Sequence, residues 1–553
     1  MSAQITLRGR ILAAALSVVL VVLGVFGSLT PAHAVGTVYA PIAGSGSTWS
    51  ENALAAWIRN VYANRGWKIE YSGGGSTQGR TDFAQGVKDF GVSEIPYAIA
   101  NSNEGDIRPA RKFAYMPIVA GGTAFMYNIE IAGRRVTNLR LSGDSVARIF
   151  TGEITRWNDP QILADNPQLA LPDIPIVPVV RSDGSGATAQ LSIWLRQEHT
   201  AVWDAYCGKV GRSLVNGHCG VTSNFPVVPG SGFISKKGSD GVAGYVAQSY
   251  AVGAITFVEY SYALNNKFPV AKLLNSAGYY TEPTAGNVAV ALLQAHINED
   301  QSSPDYLTQD LRDVYTNADP RAYALSSYSY IILPTELESA FTENKGKTLA
   351  AFGSYFLCEG QQDAEVLGYS PLPVNLVLGA QRQIQKVKGG DPAETGFSVA
   401  ECNNPTLDPS DPNGNALAKN AVYPEECDRQ GPTQCARGTG GAKETPTDAS
   451  GGTTAQGGAS SGGGDSSSGT ASQTGESFGA TDAGTVDGAV ASRPLVLAGT
   501  PQPLPASLPG VLPALAILGG SAGLLAAVVL PPVLGRRRRA PALPLTPSKG
   551  RRQ

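Results

Sequence analysis

Three short turns rich in glycine and serine carry the residues with the most chemical promise. They are Gly44-Ser45-Gly46-Ser47-Thr48-Trp49, Gly73-Gly74-Gly75-Ser76-Thr77-Gln78-Gly79 and Asp183-Gly184-Ser185-Gly186-Ala187-Thr188. Glycine lets a backbone approach a ligand closely, and the first turn of a helix offers unpaired N–H groups at the positive end of its dipole. A strand, a Gly/Ser turn and a helix in that order therefore make a cradle for an anion. Arg181 stands just before the third turn. Its fork of donors matches a tetrahedral oxyanion, and the ordinary alternative is an ion pair with Asp183. Thr48 followed by Glu51 also fits a capping box, which is a purely structural use of the first turn. Glu94 ends the strand-like run Asp89-Phe90-Gly91-Val92-Ser93 and, taken alone, reads as an ordinary exposed carboxylate.

Alternating elements must position these turns. Val38 to Ile42 reads as a strand before a helix whose apolar residues Leu54, Trp57, Ile58, Val61 and Tyr62 recur at helical spacing. Lys68 to Tyr71 precedes a helix at about 77–86, and Ile174 to Val180 precedes one carrying Leu191, Ile193, Trp194 and Leu195. Strands that alternate with helices point to an α/β fold. No repeat of fixed period is evident in residues 35–435.

Composition narrows the classes. With 42% hydrophobic and 16% charged residues the 553-residue chain can bury a sizeable core, so it is neither a disordered polyelectrolyte nor a collagen-like repeat. The net charge is −3, and the cations Arg8, Arg10 and those from Arg536 onward lie apart, which leaves the body acidic. Nucleic acid is not an expected partner, and an anion must be held by local dipoles and one or two placed cations. Residues 1–34 read as a secretory signal ending in Ala32-His33-Ala34. An uncharged apolar stretch, 511–534, is followed by Arg536 to Arg539 and then the rest of a basic tail, 535–553. It reads as a single membrane helix with the body outside the cell. Residues 438–508, rich in Gly, Ser and then Pro, read as a disordered linker. The six cysteines at 207, 219, 358, 402, 427 and 435 all fall in the exported part, which favours disulfides between sequence neighbours. No C-x-x-C occurs and His199, His218 and His296 are scattered, so neither a metal nor another cofactor is expected.

The segments AGSGSTW, IEYSGGGSTQG, VKDFGVSEIPY, IFTGEITRWNDPQIL, VVRSDGSGATAQ, GSDGVAGYVAQSYAVGAITFVEYSYA and YSPLPVNLVLGAQRQI follow one another in a specific order. In this the chain resembles, over roughly residues 36–390, the phosphate-binding protein of bacterial high-affinity phosphate uptake. The resemblance implies a two-lobed periplasmic-binding-protein fold of type II, with lobe I at 36–118 and 326–390, lobe II at 119–325, and two crossing strands as the hinge. It also implies inorganic phosphate as ligand and an ABC permease with its ATPase as partner. Thr48 and Trp49 would donate from the first helix start, Ser76 from the second, and Ser185, Gly186 and Ala187 from the third. Arg181 would be the cation on phosphate and Asp183 would orient it. Glu94 stands where the family usually has Asp, accepting the proton on phosphate, and Ala187 stands where it usually has Thr, with Thr188 beside it. Residues 391–437, with three of the cysteines, lie beyond the resemblance.

Two other readings remain open on the sequence. A surface receptor or sensor on the same fold would take another oxyanion or an organophosphate. A secreted hydrolase would need a base within reach of a serine, and G-x-S-x-G occurs only in the linker and the apolar stretch, so no enzyme is expected.

Overall fold

A computed structural model describes residues 39–447, apart from 107, 412, 413 and 446. The signal segment, the apolar stretch 511–534, the basic tail and most of the expected linker lie outside the described residues. Among the described residues no helix is long and apolar enough to cross a membrane.

Numbering the principal elements in chain order, β1 (Ile42–Gly46) leads into α1 (Glu51–Arg65), and β2 (Ile69–Gly73) into α2 (Ser76–Ala84). Leu54, Trp57 and Val61 bury one stripe of α1, whereas Tyr62, at the edge of that stripe, is 60% exposed. The capping box does not form. Ser50 is the N-cap of α1 and makes no side-chain cap bond, while the hydroxyl of Thr48 bonds to Ser239 instead. A tertiary partner has displaced a local one.

After β3 (Phe90–Ser93) comes the long strand β4 (Phe113–Tyr127). Its first part pairs antiparallel with β9 (Ser326–Pro334), from Phe113 opposite Pro334 to Gly122 opposite Ser326. From Thr123 onward it pairs with β7 (Ala254–Glu259), and through Phe125 and Met126 with β8 (Val270–Leu274). Each end of β4 is thereby built into a different parallel array. On one side β3, β1 and β2 follow β9; on the other, β5 (Val177–Arg181) and β6 (Ile234–Lys236) follow β7. Helices α3 (Gly186–Glu198) and α4 (Gly238–Val246) start just beyond β5 and β6. The carboxyl ends of β1, β2, β5 and β6 thus each deliver a turn and a helix start, the place where α/β sheets put ligands.

Helices α5 (Ala285–Ala291), α6 (Glu343–Leu357) and α7 (Val374–Ile384) cover the sheet, and Leu349, Phe352, Phe356, Val377 and Ile384 are buried in the main core. The cysteines pair as 207–219, 358–402 and 427–435. The region after α7 is packed. Cys402 ties it to α6, the short helix α8 (Ala416–Lys419) lies on α5, and the Lys272 ammonium is 2.6 Å from the Asp428 carboxylate.

Residues 439–441, which composition places in the linker, are packed. Thr439 is fully buried, with hydrogen bonds to the backbone of Thr137 and Val270, and Gly441 donates to the carbonyl of Phe268. A Cβ on Gly441 would lie 2.6 Å from the carbonyl oxygen of Ala263, so these glycines serve close backbone approach rather than flexibility.

Candidate functional site

The four helix starts meet at one place. Gly46, with φ +139°, lets β1 pass Val92, where a Cβ would stand 2.1 Å from the Val92 carbonyl oxygen. Gly75, with φ +97°, begins α2 against Asp183 and Gly184 of the third turn. Local sequence thus supplies the turns, and glycine allows turns from both parallel arrays to touch.

Hydrogen bonds then link the elements into a ring. The Gly186 amide donates to Ser76 Oγ at 3.0 Å, and Ser76 Oγ donates to Glu94 Oε2 at 2.7 Å. Ser329, on β9, donates to Glu94 Oε1 at 2.9 Å and lies 3.0 Å from Ser50 Oγ at the cap of α1. Across from it, Thr48 Oγ1 accepts the Ser239 amide at 3.0 Å, and Ser239 Oγ accepts from Arg181 Nη1 at 3.2 Å. Arg181 grips Asp183 with two donors, and Asp183 in turn accepts the Gly238 amide at 2.9 Å. A further contact joins the Thr77 amide to the Gly184 carbonyl at 3.0 Å. Thr48, Trp49, Ser76, Glu94, Arg181, Ser185 and Ala187 are all 1–3% exposed, which shuts the ring from solvent.

The remaining expected residues have these partners. The Trp49 amide donates to Ser47 Oγ, its indole Nε1 is buried without a hydrogen-bond partner, and its carbonyl accepts from Tyr369. Ser185 caps α3, its Oγ accepting the Thr188 amide while its own amide donates to Ser223. Thr188 Oγ1 is buried and has no partner.

The electrostatics combine one guanidinium with several acids. Burial pushes the Asp183 carboxyl up, but the hydrogen bond and charge of Arg181 outweigh it and hold it below the usual carboxylate range. Glu51, in the first turn of α1, is pushed up to about 7, by burial first and then by Asp240, against the pull of the Gly73 amide and Arg181. Burial, then the charge of Glu51, raises the phenols of Tyr71 and Tyr262. Both stay neutral and donate to the carbonyls of Ser47 and Thr48. With Arg181 already matched by Asp183, the force left for an anion comes from the four helix dipoles and the convergent N–H and O–H groups.

Sequence reasoning missed Ser239, Ser50 and Ser329. Ser239 follows the same strand–Gly/Ser–helix grammar, obscured by a three-residue strand and two lysines before Gly238. Ser329 has no local signal, because only the pairing of β9 with β3 brings it to Glu94, 235 positions away in sequence.

The PBP superfamily domain model matches residues 31–359, more than half of the chain. The phosphate-binding protein PstS of Xylella fastidiosa (strain Temecula1) is 32% identical over 351 residues, covering 63% of this chain and 86% of that protein. The chain belongs to the PstS family of the PBP superfamily. The PstS of Haemophilus influenzae is 29% identical over 344 residues, with 62% of this chain and 92% of that protein covered. A solved phosphate-binding protein from Stenotrophomonas maltophilia aligns at 17% identity and a TM-score of 0.44, over 66% of this chain and 97% of that one. The packed segment after α7, residues 391–447, lies beyond the stretch that the PBP superfamily model matches.

Proposed function

We propose that this chain is an extracytoplasmic receptor that captures inorganic phosphate among the four helix starts and delivers it to an ABC permease. Membership of the PstS family sets the class. The observation that carries the reading is the buried ring from Arg181 through Ser239 to Thr48, along the chain to Ser50, and on through Ser329, Glu94 and Ser76 to Gly186, which joins both halves of the sheet.

In this reading Arg181, fixed by Asp183, supplies the one cation, and the helix starts at Thr48–Trp49, Ser76 and Ser185–Ala187 donate to the equatorial oxygens. Glu94 has about four acceptor sites, two of them used by Ser76 and Ser329, which leaves acceptance of the phosphate proton to the others. Sulfate has no proton to give near neutral pH, so it would face an unpaired carboxylate. Ring burial favours a free oxyanion over an organophosphate, whose substituent would need an exit. Among the described residues the Ser76 hydroxyl donates to Glu94 and the Ser185 hydroxyl accepts the Thr188 amide, so both are engaged in holding the site together.

The apolar stretch 511–534 with its four following arginines would tether this receptor to the membrane. The decisive experiment is calorimetric titration of the full chain in lipid nanodiscs with phosphate and sulfate. Tight phosphate binding that sulfate does not displace supports the reading. Absence of phosphate binding refutes it.

A further inference from the structure

A second junction between the halves of the sheet lies outside the ring. It is made by the segment after β3, residues 94–106, and by residues 215–224, which precede β6. Each side is fixed to its own half. The first is rooted on α2, where Arg80, 1% exposed, donates from Nε to Asp106 Oδ2 at 2.8 Å and from Nη1 to Ser93 Oγ at 2.9 Å. The Tyr97 hydroxyl donates to the Arg80 carbonyl at 2.6 Å. The second is held by α3, where Ser192 Oγ accepts the Thr222 amide at 3.0 Å, and by the disulfide 207–219, which ties it to the helix Thr200–Lys209.

Glu104 reaches from the first segment to the second. Its Oε1 accepts the Thr222 hydroxyl at 2.5 Å and the Ser223 amide at 2.7 Å, and its Oε2 accepts the Ser223 hydroxyl at 2.5 Å. The amide and the side chain of Asn224 add longer bonds, at 3.3 and 3.2 Å. Nearby the Val221 amide donates to the Asn101 carbonyl at 2.9 Å, and Asn216 Nδ2 donates to Asn101 Oδ1 at 3.0 Å. Burial pushes the Glu104 carboxyl up, but the hydrogen bonds from Ser223, Thr222 and Asn224 outweigh it and hold it below the usual carboxylate range. Bonds to a charged acceptor are the strong ones, and both oxygens of Glu104 take theirs from the opposite half.

The junction continues into the ring. The Ser223 carbonyl accepts the Ser185 amide at 2.8 Å, at the cap of α3, and Ser223 Oγ lies 3.0 Å from Thr77 Oγ1, next to Ser76. One residue thus meets the Glu104 carboxylate on one side and places a helix start of the anion cradle on the other.

We propose that Glu104 is a positioning residue for anion capture, a latch on Thr222, Ser223 and Asn224 that holds the two halves together over the ligand and sets how fast it leaves. The ligand rests on the phosphate reading above; the latch is a property of the fold. An anion enters before the latch engages, and parting the halves must break its bonds, so the latch acts on dissociation and spares association.

The test pairs stopped-flow phosphate kinetics with amide hydrogen exchange, both on the full chain in lipid nanodiscs and in the same phosphate solution. Glu104→Ala should speed phosphate release at least about tenfold while association stays within about twofold. Peptides covering 216–224 should exchange at least about tenfold faster in that variant. Glu104→Gln, which keeps one acceptor oxygen, should fall between it and wild type in both readouts. Thr222→Val with Ser223→Ala should speed release as well, and adding Glu104→Ala to that pair should give less than the product of the separate effects. Unchanged release overturns the latch, and so does association that slows as much as release quickens, which would mark a general distortion of the site. If the wild type binds no phosphate, the functional reading fails and exchange alone decides the latch, unchanged exchange in Glu104→Ala overturning it. Should Glu104→Ala not fold, Glu104→Gln decides by the same readouts, wild-type behaviour in both counting against the latch.

Discussion

Gly186→Ala tests the ring at its tightest point. A Cβ at Gly186 would lie 2.0 Å from Glu94 Oε2 and 2.7 Å from Ser76 Oγ. An ordinary carbon–oxygen contact is about 3.3 Å, so the carboxylate would have to retreat by more than 1 Å. That displacement breaks its bonds from Ser76 at 2.7 Å and Ser329 at 2.9 Å. Hydrogen bonds to a charged group contribute roughly 1.5–3 kcal/mol each, which gives about 3–6 kcal/mol against the closed arrangement. At about 1.4 kcal/mol per tenfold, phosphate affinity should fall by between roughly two and four powers of ten. The fold should be spared. Gly186 has no positive φ, and the core residues of α3, Leu191, Trp194 and Leu195, face elsewhere. Calorimetric titration measures the affinity, and thermal unfolding without phosphate serves as the control. Binding within about threefold of wild type, in a variant that melts normally, would show that the bound form does not bring Gly186 against Glu94, and the ring would have to be abandoned.

Four further outcomes are expected. Arg181→Ala should lower phosphate affinity at least about a hundredfold, because Asp183 is left buried without its cation, and Arg181→Lys should fall between it and wild type by keeping charge without the fork; equal titrations for Lys and Arg would count against bidentate gripping. Glu94→Gln should let sulfate compete with phosphate, read by competition calorimetry, since an amide can donate where the carboxylate only accepts. Glu51, whose folded value of about 7 lies above the usual carboxylate range, contributes stability that is fully present below its unfolded pKa and is lost as pH rises through 7. Glu51→Gln should accordingly gain in melting temperature over wild type on going from pH ~5 to pH ~8, and a constant difference would contradict this. Replacing Cys358 and Cys402 by serine opens a loop with a sequence separation of 44 and should cost about 4 kcal/mol in the chain-entropy description, measured by denaturant unfolding under oxidising conditions.

How much of this was legible beforehand depends on the range of the interaction involved. The Gly/Ser turns, the helix starts behind them and the pairing of neighbouring cysteines are short-range matters, and the sequence carried them. The capping box at Thr48 was legible and absent, because Ser239 competes for the same hydroxyl from 191 residues away. Gly440 and Gly441, which composition places in the linker, instead lie against the backbone of β8 and its approach.

By itself the sequence determined an α/β chain with three anion-cradling turns, one arginine beside the third, and an acidic body that must bind anions through local dipoles. Only the tertiary structure decided that a fourth turn at Ser239 joins them and that Ser329 holds Glu94. Turn chemistry is written within a few residues. Which turns meet depends on strand order, and that is settled by long-range pairing of β4 with β9 and β7, which no local pattern encodes.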